Sequence, residues 1–102
     1  MKIEWTQPAV QDLESIRDYI SRDSEYYAAR FIEKIIEAVE KLEKFPMLGR
    51  PVPEIEDENI REIFLHSYRI IYRRETNRLL VLTILHGARD LSLKKVKPWD
   101  IT

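Results

Sequence analysis

Seven arginines between positions 50 and 89 are the side chains best suited to chemistry or recognition. They are Arg50, Arg61, Arg69, Arg73, Arg74, Arg78 and Arg89. A guanidinium group binds a carboxylate or a phosphate through two parallel hydrogen bonds, so this set could hold an anionic partner. Arg50 and Arg89 lie just after glycines, one in a proline-rich loop and one past a strand end, where exposed side chains are common. For Arg73, Arg74 and Arg78, pairing with carboxylates of the same chain is the simpler interpretation.

The two histidines are the other candidates for acid–base chemistry. His86 closes an apolar stretch and could act as an acid or base, although a strand-end histidine without a catalytic role is the plainer interpretation. His66 lies in a predicted turn, where we expect it to be solvated. Because twenty positions separate the two, they do not form a metal-ligand pair, and we expect neither a metal ion nor another cofactor. With only two glycines the chain has no phosphate-binding loop, and no serine is flanked as in a nucleophile elbow.

Charge is divided unevenly along the chain. Residues 1–58 carry 8 Lys and Arg against 14 Asp and Glu, a net charge of -6, whereas residues 59–102 carry 9 against 4, a net charge of +5. The basic half could attract phosphate or an acidic protein. Equally, two layers of one domain could neutralise each other.

Composition limits the class of protein. A length of 102 residues with 44% hydrophobic and 34% charged side chains predicts one soluble domain, 1–102, with a modest core. The absence of cysteine excludes a disulfide framework and a thiolate metal site. The N-terminus lacks the apolar run of a signal peptide, and no stretch reaches the ~18 apolar residues of a membrane span. We therefore expect a cytoplasmic protein that does not bind a membrane.

Hydrophobic periodicity predicts two helices ahead of the arginines. Residues 3–6 alternate as in a short strand, and Thr6 can then cap a helix with Pro8 in its first turn. Apolar residues at helical spacing continue to about Ser21. Asp23 or Ser24 can cap a second, longer helix that ends near residues 45–46. The short break between the helices predicts an antiparallel hairpin.

The period changes to two residues after Asn59, which predicts a sheet. Strands are expected at 60–65, 68–74 and 79–86, the last being central because it is the most apolar. Residues 46–53 are expected to form a non-repetitive loop, and 54–58 to be solvated. The predicted fold is α+β in the order β-α-α-β-β-β. Its helical hairpin packs on one face of an antiparallel sheet, and the first strand joins at an edge.

Four segments of the sequence form an ordered pattern. They are Trp5-Thr6-x-x-Ala9-x-x-Asp12-Leu13-x-x-Ile16-x-x-Tyr19-Ile20, then Phe45-Pro46-x-x-Gly49-Arg50-Pro51-Val52-Pro53-Glu54, then Ile60-Arg61-Glu62 with Tyr68-Arg69-Ile70-Ile71-Tyr72, and finally Leu85-His86-Gly87-Ala88-Arg89. In order and spacing this set resembles the RelE/ParE superfamily of bacterial and archaeal toxins. The family's fold has the same order of elements as the periodicity predicts. The resemblance implies a type II toxin-antitoxin (plasmid stabilisation) module, in which an antitoxin wraps around the toxin and silences it.

The superfamily contains two activities, and the residues discriminate between them. RelE-like members cleave mRNA on the ribosome, whereas ParE-like members inhibit DNA gyrase without catalysis. If this chain is a nuclease, its candidate site is Arg61, Arg69, His86 and Arg89. The resemblance matches Arg69 and Arg89 to arginines of RelE-like enzymes, and His86 could substitute as the acid or base. The match departs where Glu62, instead of a second basic residue, follows Arg61, and where the tail lacks a late tyrosine. A pI near 6.1 also disfavours binding to ribosomal RNA, because phosphate contacts supply much of that affinity.

Gyrase inhibition is therefore the favoured function, with RelE-like cleavage of mRNA as the alternative. A second alternative is an antitoxin-binding protein with a lost or changed target. Under the favoured hypothesis the target-binding candidates are Arg50, Arg61, Arg69, Arg89 and Trp99, the last in a basic tail, 91–102. The antitoxin is expected on the helical hairpin and its adjoining groove, forming a hetero-oligomer. A domain that exposes apolar surface for a partner is also expected to self-associate when alone.

Overall fold

The computed structural model describes residues 1–87, so the predictions on Arg89, Trp99 and the tail 91–102 lie outside the described residues. The described elements are strand β1 (Lys2–Trp5), helices α1 (Gln7–Ser21) and α2 (Glu25–Glu40), a 3₁₀ helix (Lys41–Glu43), and strands β2 (Arg50–Pro51), β3 (Ile60–Leu65), β4 (Tyr68–Arg74) and β5 (Arg78–His86). The predicted order of helices and long strands is confirmed. Neither helix is long and apolar enough to cross a membrane, a finding that covers residues 1–87.

Both predicted helix caps are present. The Thr6 hydroxyl accepts from the Ala9 amide at 3.2 Å and donates to the Leu82 carbonyl at 2.9 Å, so one residue caps α1 and ties it to β5. The Ser24 hydroxyl accepts from the Tyr27 amide at 3.2 Å and caps α2. Each cap satisfies one of the amides that a helix N-terminus leaves without an intrahelical acceptor.

The sheet has five strands in the order β1-β5-β4-β3-β2. The predicted edge position of β1 is confirmed, but β1 runs parallel to β5, so the sheet is mixed and the antiparallel prediction is wrong for this strand. The sequence does not determine the direction of β1, because two helices connect it to the rest of the sheet and no tight turn links it to β5. Strand β2 lies inside the predicted loop, and its two residues are too few to show alternation.

Helix α1 contacts the part of strand β5 that extends beyond the end of β1. Where β1 ends, the Asp12 carboxylate accepts from the Ile84 amide at 3.0 Å and from the Thr83 hydroxyl. The register of β4 and β5 shifts at the same level, where Ile71 pairs with Thr83 and Tyr72 with Val81. Asp12 therefore takes the place of a strand partner beside this irregularity.

The two sheet faces bury different sets of residues. The face under the helices contributes to a core of Ala9, Ile16, Ile35, Val39, Leu42, Ile70, Tyr72, Leu79, Val81 and Ile84. The other face holds a second cluster of Val52, Ile60, Ile71, Leu80, Leu82 and Leu85. Within residues 1–87 no helix packs on this second face, as predicted; Val52 and Ile55 reach it from the loop before β3.

Candidate functional site

Arg69 is the centre of a buried ion network on the sheet face without helices. Its guanidinium group donates to both carboxylate oxygens of Glu54 at 2.8 Å and to Glu62 Oε1 at 2.7 Å. Arg69 is only 5% exposed and Glu62 is 1% exposed. The hydrogen bonds that Arg69 donates to Glu54 and then to Glu62, against the opposing effect of burial, raise the pKa of Arg69 above its ordinary value, so this side chain stays charged.

Glu62 connects this buried arginine to an exposed one. Its second oxygen, Oε2, accepts from Arg50 Nε at 2.8 Å, and the Arg50 side chain is 58% exposed. The Arg50 guanidinium also lies 5.1 Å from the centre of the Phe64 ring, within the range of a cation–π contact. The predicted exposure of Arg50 is therefore confirmed, and its orientation is set by Glu62 on one side and Phe64 on the other.

The prediction that residues 54–58 are solvated is wrong for Glu54. Its side chain is 23% exposed and pairs with Arg69 across a separation of fifteen positions. Nothing in the local sequence indicates that the loop folds back onto the sheet. The pairing of Glu62 with Arg69 could have been predicted, because a hairpin through 66–67 places positions 62 and 69 on the same face.

Tyr72 anchors the loop that carries Arg50. Its hydroxyl accepts from the Gly49 amide at 3.0 Å and donates to the Pro46 carbonyl at 2.8 Å, and burial raises the pKa of Tyr72. A Cβ atom at Gly49 would lie 2.5 Å from the Glu62 carbonyl oxygen, so this close approach requires glycine. The Tyr72 ring itself lies in the core under the helices.

Arg61 lies on the opposite face from Arg69 and is engaged by the same loop. Its Nε donates to the Gly49 carbonyl at 2.7 Å, and its NH1 donates to the Glu58 carbonyl at 3.1 Å. Arg61 pairs with Tyr72 across β3 and β4, and Tyr72 belongs to the core under the helices. Arg61 thus helps to hold the loop against the sheet.

The candidate nuclease residues do not converge. Arg61 faces the helices and Arg69 faces away from them, with the sheet between their side chains. His86 pairs with Tyr68, four positions along β4 from the partner of Arg61, a separation of about 13 Å along the strand. The histidine ring is exposed and packs edge-on to Tyr68, with 5.8 Å between ring centres. The described members of the set therefore cannot meet at one phosphate group.

Three arginines at the β4–β5 turn, Arg73, Arg74 and Arg78, are expected to pair with carboxylates. The structure confirms this for Arg73 and Arg78. Arg73 and Arg78 both donate to Glu75, and Arg78 also reaches Glu4 at 2.7 Å. Arg74 instead donates to the Asn59 side chain at 3.1 Å. At this end of the sheet the charges of Arg73 and Arg78 are therefore neutralised by carboxylates, whereas among the described residues Arg74 has no carboxylate partner.

An open groove lies between helix α2 and the outer edge of β3. Its cavity of about 490 Å³ is lined by Ala38, Lys41, Leu48, Gly49, Arg50, Glu62, Ile63, Phe64 and Leu65. Strand β2 pairs only with Arg61 and Glu62, so in the described part of the chain the edge beyond them has no strand partner. Leu48 and Phe64 are 58% and 53% exposed, while Lys41 and Arg50 place positive charge on the rim. This α2–β3 groove suits an apolar segment that carries carboxylates.

Comparison with known proteins identifies the family. Residues 3–91 match the family described as the ParE toxin of the type II toxin-antitoxin system parDE. The predicted toxin Y4kP of Sinorhizobium fredii is 34% identical over 88 residues, covering 84% of this chain and 88% of that protein.

Two solved structures share the fold. A chain of the chromosomal ParDE toxin-antitoxin system of P. aeruginosa has a TM-score of 0.71 and 25% identity, covering 84% of this chain and 95% of its own. A chain of the RelBE2 toxin-antitoxin complex of Mycobacterium tuberculosis has a TM-score of 0.62 and 20% identity, covering 83% and 95%. The helical hairpin, the five-stranded sheet and the match over residues 3–91 show that this chain belongs to the ParE toxin family of type II toxin-antitoxin systems.

Proposed function

We propose that this chain inhibits DNA gyrase in the cytoplasm, without catalysis of its own, and that a cognate antitoxin neutralises it in a plasmid-stabilisation module. The observation that carries the proposal is the separation of Arg61 and Arg69 onto opposite sheet faces. Cleavage of RNA by its own 2′-hydroxyl, without a metal, needs a base, an acid and a cation around one phosphate. A divided set of side chains supports a binding function over a cleaving one.

The pairing of Arg69 supports the same choice. A guanidinium that stabilises a phosphate in a transition state must have donors directed at that phosphate. Here Glu54 and Glu62 accept from Nε and both terminal nitrogens of Arg69. Releasing this arginine toward RNA would leave the Glu62 carboxylate buried beside one remaining partner, which is costly.

For the target we propose a surface centred on Arg50, with Arg61 beside it. Arg50 combines high exposure with a defined orientation, because Glu62 and Phe64 hold it. Arg69 acts on this surface by positioning Glu62. Arg89 and Trp99 remain predicted contacts outside the described residues.

For the antitoxin we propose the α2–β3 groove as its docking site. The exposed side chains of Leu48 and Phe64 would bind apolar residues, and Lys41 and Arg50 would pair with acidic ones. Both structural neighbours come from toxin-antitoxin systems, which supports such a partner. Because Arg50 lines the groove, a bound antitoxin would cover part of the proposed target surface.

Tightly controlled expression in bacteria tests the target. The proposal expects loss of DNA supercoiling and filamentous growth before any loss of protein synthesis. Arg50→Glu should abolish the effect, whereas Arg30→Glu, the same charge change at an exposed position on α2, should not. Rapid arrest of translation with cut messages would instead support the RelE-like alternative. Normal growth at confirmed expression would support a lost or changed target.

Co-expression with the candidate antitoxin, the protein encoded by a short reading frame just upstream, tests whether the antitoxin binds the α2–β3 groove. Phe64→Asp in the toxin should lower the affinity of the antitoxin for it by more than ~10-fold, if Phe64 contributes over ~1.4 kcal/mol as an aromatic at the centre of an interface can. Tyr19→Asp is the matched control, because Tyr19 is a comparably exposed aromatic on α1, at 64%. Equal losses in the two variants would place the antitoxin elsewhere.

A further inference from the structure

Among residues 1–87, no strand pairs with the outer edge of β1, which lies on the side of the sheet away from the α2–β3 groove. Within residues 1–87, β1 pairs with β5 and with no other strand. The Thr6 amide donates to the Val81 carbonyl at 3.0 Å. Because backbone groups alternate in direction along a strand, those of Lys2 and Glu4 also point to β5, and those of Ile3 and Trp5 point outward.

Lys2 and Glu4 carry opposite charges on this edge, where Glu4 also pairs with Arg78 of the same chain at 2.7 Å. If a second β1 approaches antiparallel with Ile3 opposite the Ile3 of a second copy, Lys2 of each copy lies opposite Glu4 of the other. The same register makes Ile3 a hydrogen-bonded pair, in which each copy donates its outward amide to the carbonyl of the other. Backbone direction and side-chain charge therefore favour one and the same register.

We propose that a second copy of this chain occupies the β1 edge and that the two sheets join through an antiparallel β1 pair around a two-fold axis at Ile3. Such a contact uses the same patch on both copies, as a closed dimer requires. A cavity of about 590 Å³ beside the edge is lined in part by Ile3, Trp5 and Ile36, which supplies apolar surface next to the strand. With four residues per strand the interface is small, so the dimer is weak and forms reversibly.

The proposal is independent of gyrase inhibition. Strand β1 forms one edge of the sheet, and β5 and β4 separate it from β3. Pairing through β1 therefore leaves the α2–β3 groove open. Self-association of the free chain was expected from exposed apolar surface; the β1 edge assigns it to one strand and one register.

Cysteine cross-linking tests the register directly, since the chain has no cysteine of its own. In a hydrogen-bonded antiparallel pair the two Cα atoms lie about 5.5 Å apart, which is within disulfide range. Ile3→Cys in the purified full-length chain should therefore form a disulfide-linked dimer under mild oxidation. Lys2→Cys should not, because in this register its two copies lie roughly 8 Å apart. Equal cross-linking at both positions, or none at position 3 in a folded variant, would overturn the register.

Sedimentation of the chain over a range of concentrations tests the dimer without cross-linking. Lys2→Glu sets two carboxylates opposite each other and should raise the dissociation constant by ~10-fold or more, whereas Lys34→Glu, an exposed charge change on α2, should not. Ile3→Pro should also weaken the dimer, because it removes the outward amide and leaves the β1–β5 ladder intact. A wild-type chain that stays monomeric at all concentrations, or a dimer that tolerates both β1 variants, would rule out the proposal.

Discussion

The two faces of the sheet bury their residues by different means. Under the helices the core is mainly apolar, and its buried polar groups are hydrogen-bonded, as the Tyr72 hydroxyl is by the loop at residues 46–49. On the other face an ion network of Arg69 with Glu54 and Glu62 is buried beside a smaller apolar cluster. The comparison shows that an arginine-rich sheet need not be a basic surface.

Three of the five arginines in residues 59–87 are paired with carboxylates within the fold. Arg69 pairs with Glu54 and Glu62, and Glu75 pairs with both Arg73 and Arg78. Among the described sheet arginines, Arg50 is the most exposed. Its side chain is 58% exposed, whereas its carboxylate partner Glu62 is fully buried. The number of arginines in the sequence therefore does not measure how much positive charge the described surface presents.

The largest effect is expected from Arg69→Ala. Removing the guanidinium leaves Glu62 buried with a single exposed partner, which should lower the free energy of unfolding by about 3–5 kcal/mol. Arg50→Ala removes the other partner of the same carboxylate and should cost under ~1 kcal/mol, because Arg50 is mostly exposed. Urea unfolding of the two variants measures the difference. Similar losses in both would contradict the assignment of the buried network to Arg69.

The contrast between these arginines marks the limit of what the sequence could predict. Strong periodicity predicted both helices and the three long strands, because many residues repeat the same pattern. Alternation on either side of the predicted turn at 66–67 is also sufficient to place Glu62 and Arg69 on one face of the sheet. The pairing with Glu54 could not be predicted, because it depends on a non-repetitive loop returning to the sheet. The direction of β1 and the two-residue β2 were missed for similar reasons: neither is determined by a local pattern.

A smaller effect is expected on the helical face from Tyr72→Phe. The variant keeps the ring in the core but leaves the Gly49 amide and the Pro46 carbonyl without the hydroxyl, at a cost of about 1–3 kcal/mol. Tyr19→Phe, at an exposed position on α1, should change stability by less than ~0.5 kcal/mol. Thermal unfolding compares the pair. If Tyr72→Phe is as stable as the control, the hydroxyl does not hold the loop.

The smallest effect is expected at Glu75, where the ion pairs are partly exposed. Hydrogen bonds from Arg78 and Arg73 lower the pKa of Glu75. A lowered pKa in the folded state means that this stabilisation is present above the unfolded pKa of about 4.3 and is lost as the pH falls through the folded value. Glu75→Gln should therefore cost under ~1 kcal/mol at pH 7 and nothing once Glu75 is protonated. A stability difference from wild type that persists unchanged at pH 2–3 would refute this pH dependence.

Purified components test the central claim that the divided arginines make this chain a binding toxin. The chain should inhibit ATP-dependent supercoiling of relaxed plasmid by gyrase in a dose-dependent way, and the antitoxin should reverse the inhibition. The same preparation should leave mRNA intact on translating ribosomes. Cleaved mRNA together with unaffected supercoiling would contradict the account, since it would require Arg61, Arg69 and His86 to act at a site that their positions in the sheet do not form.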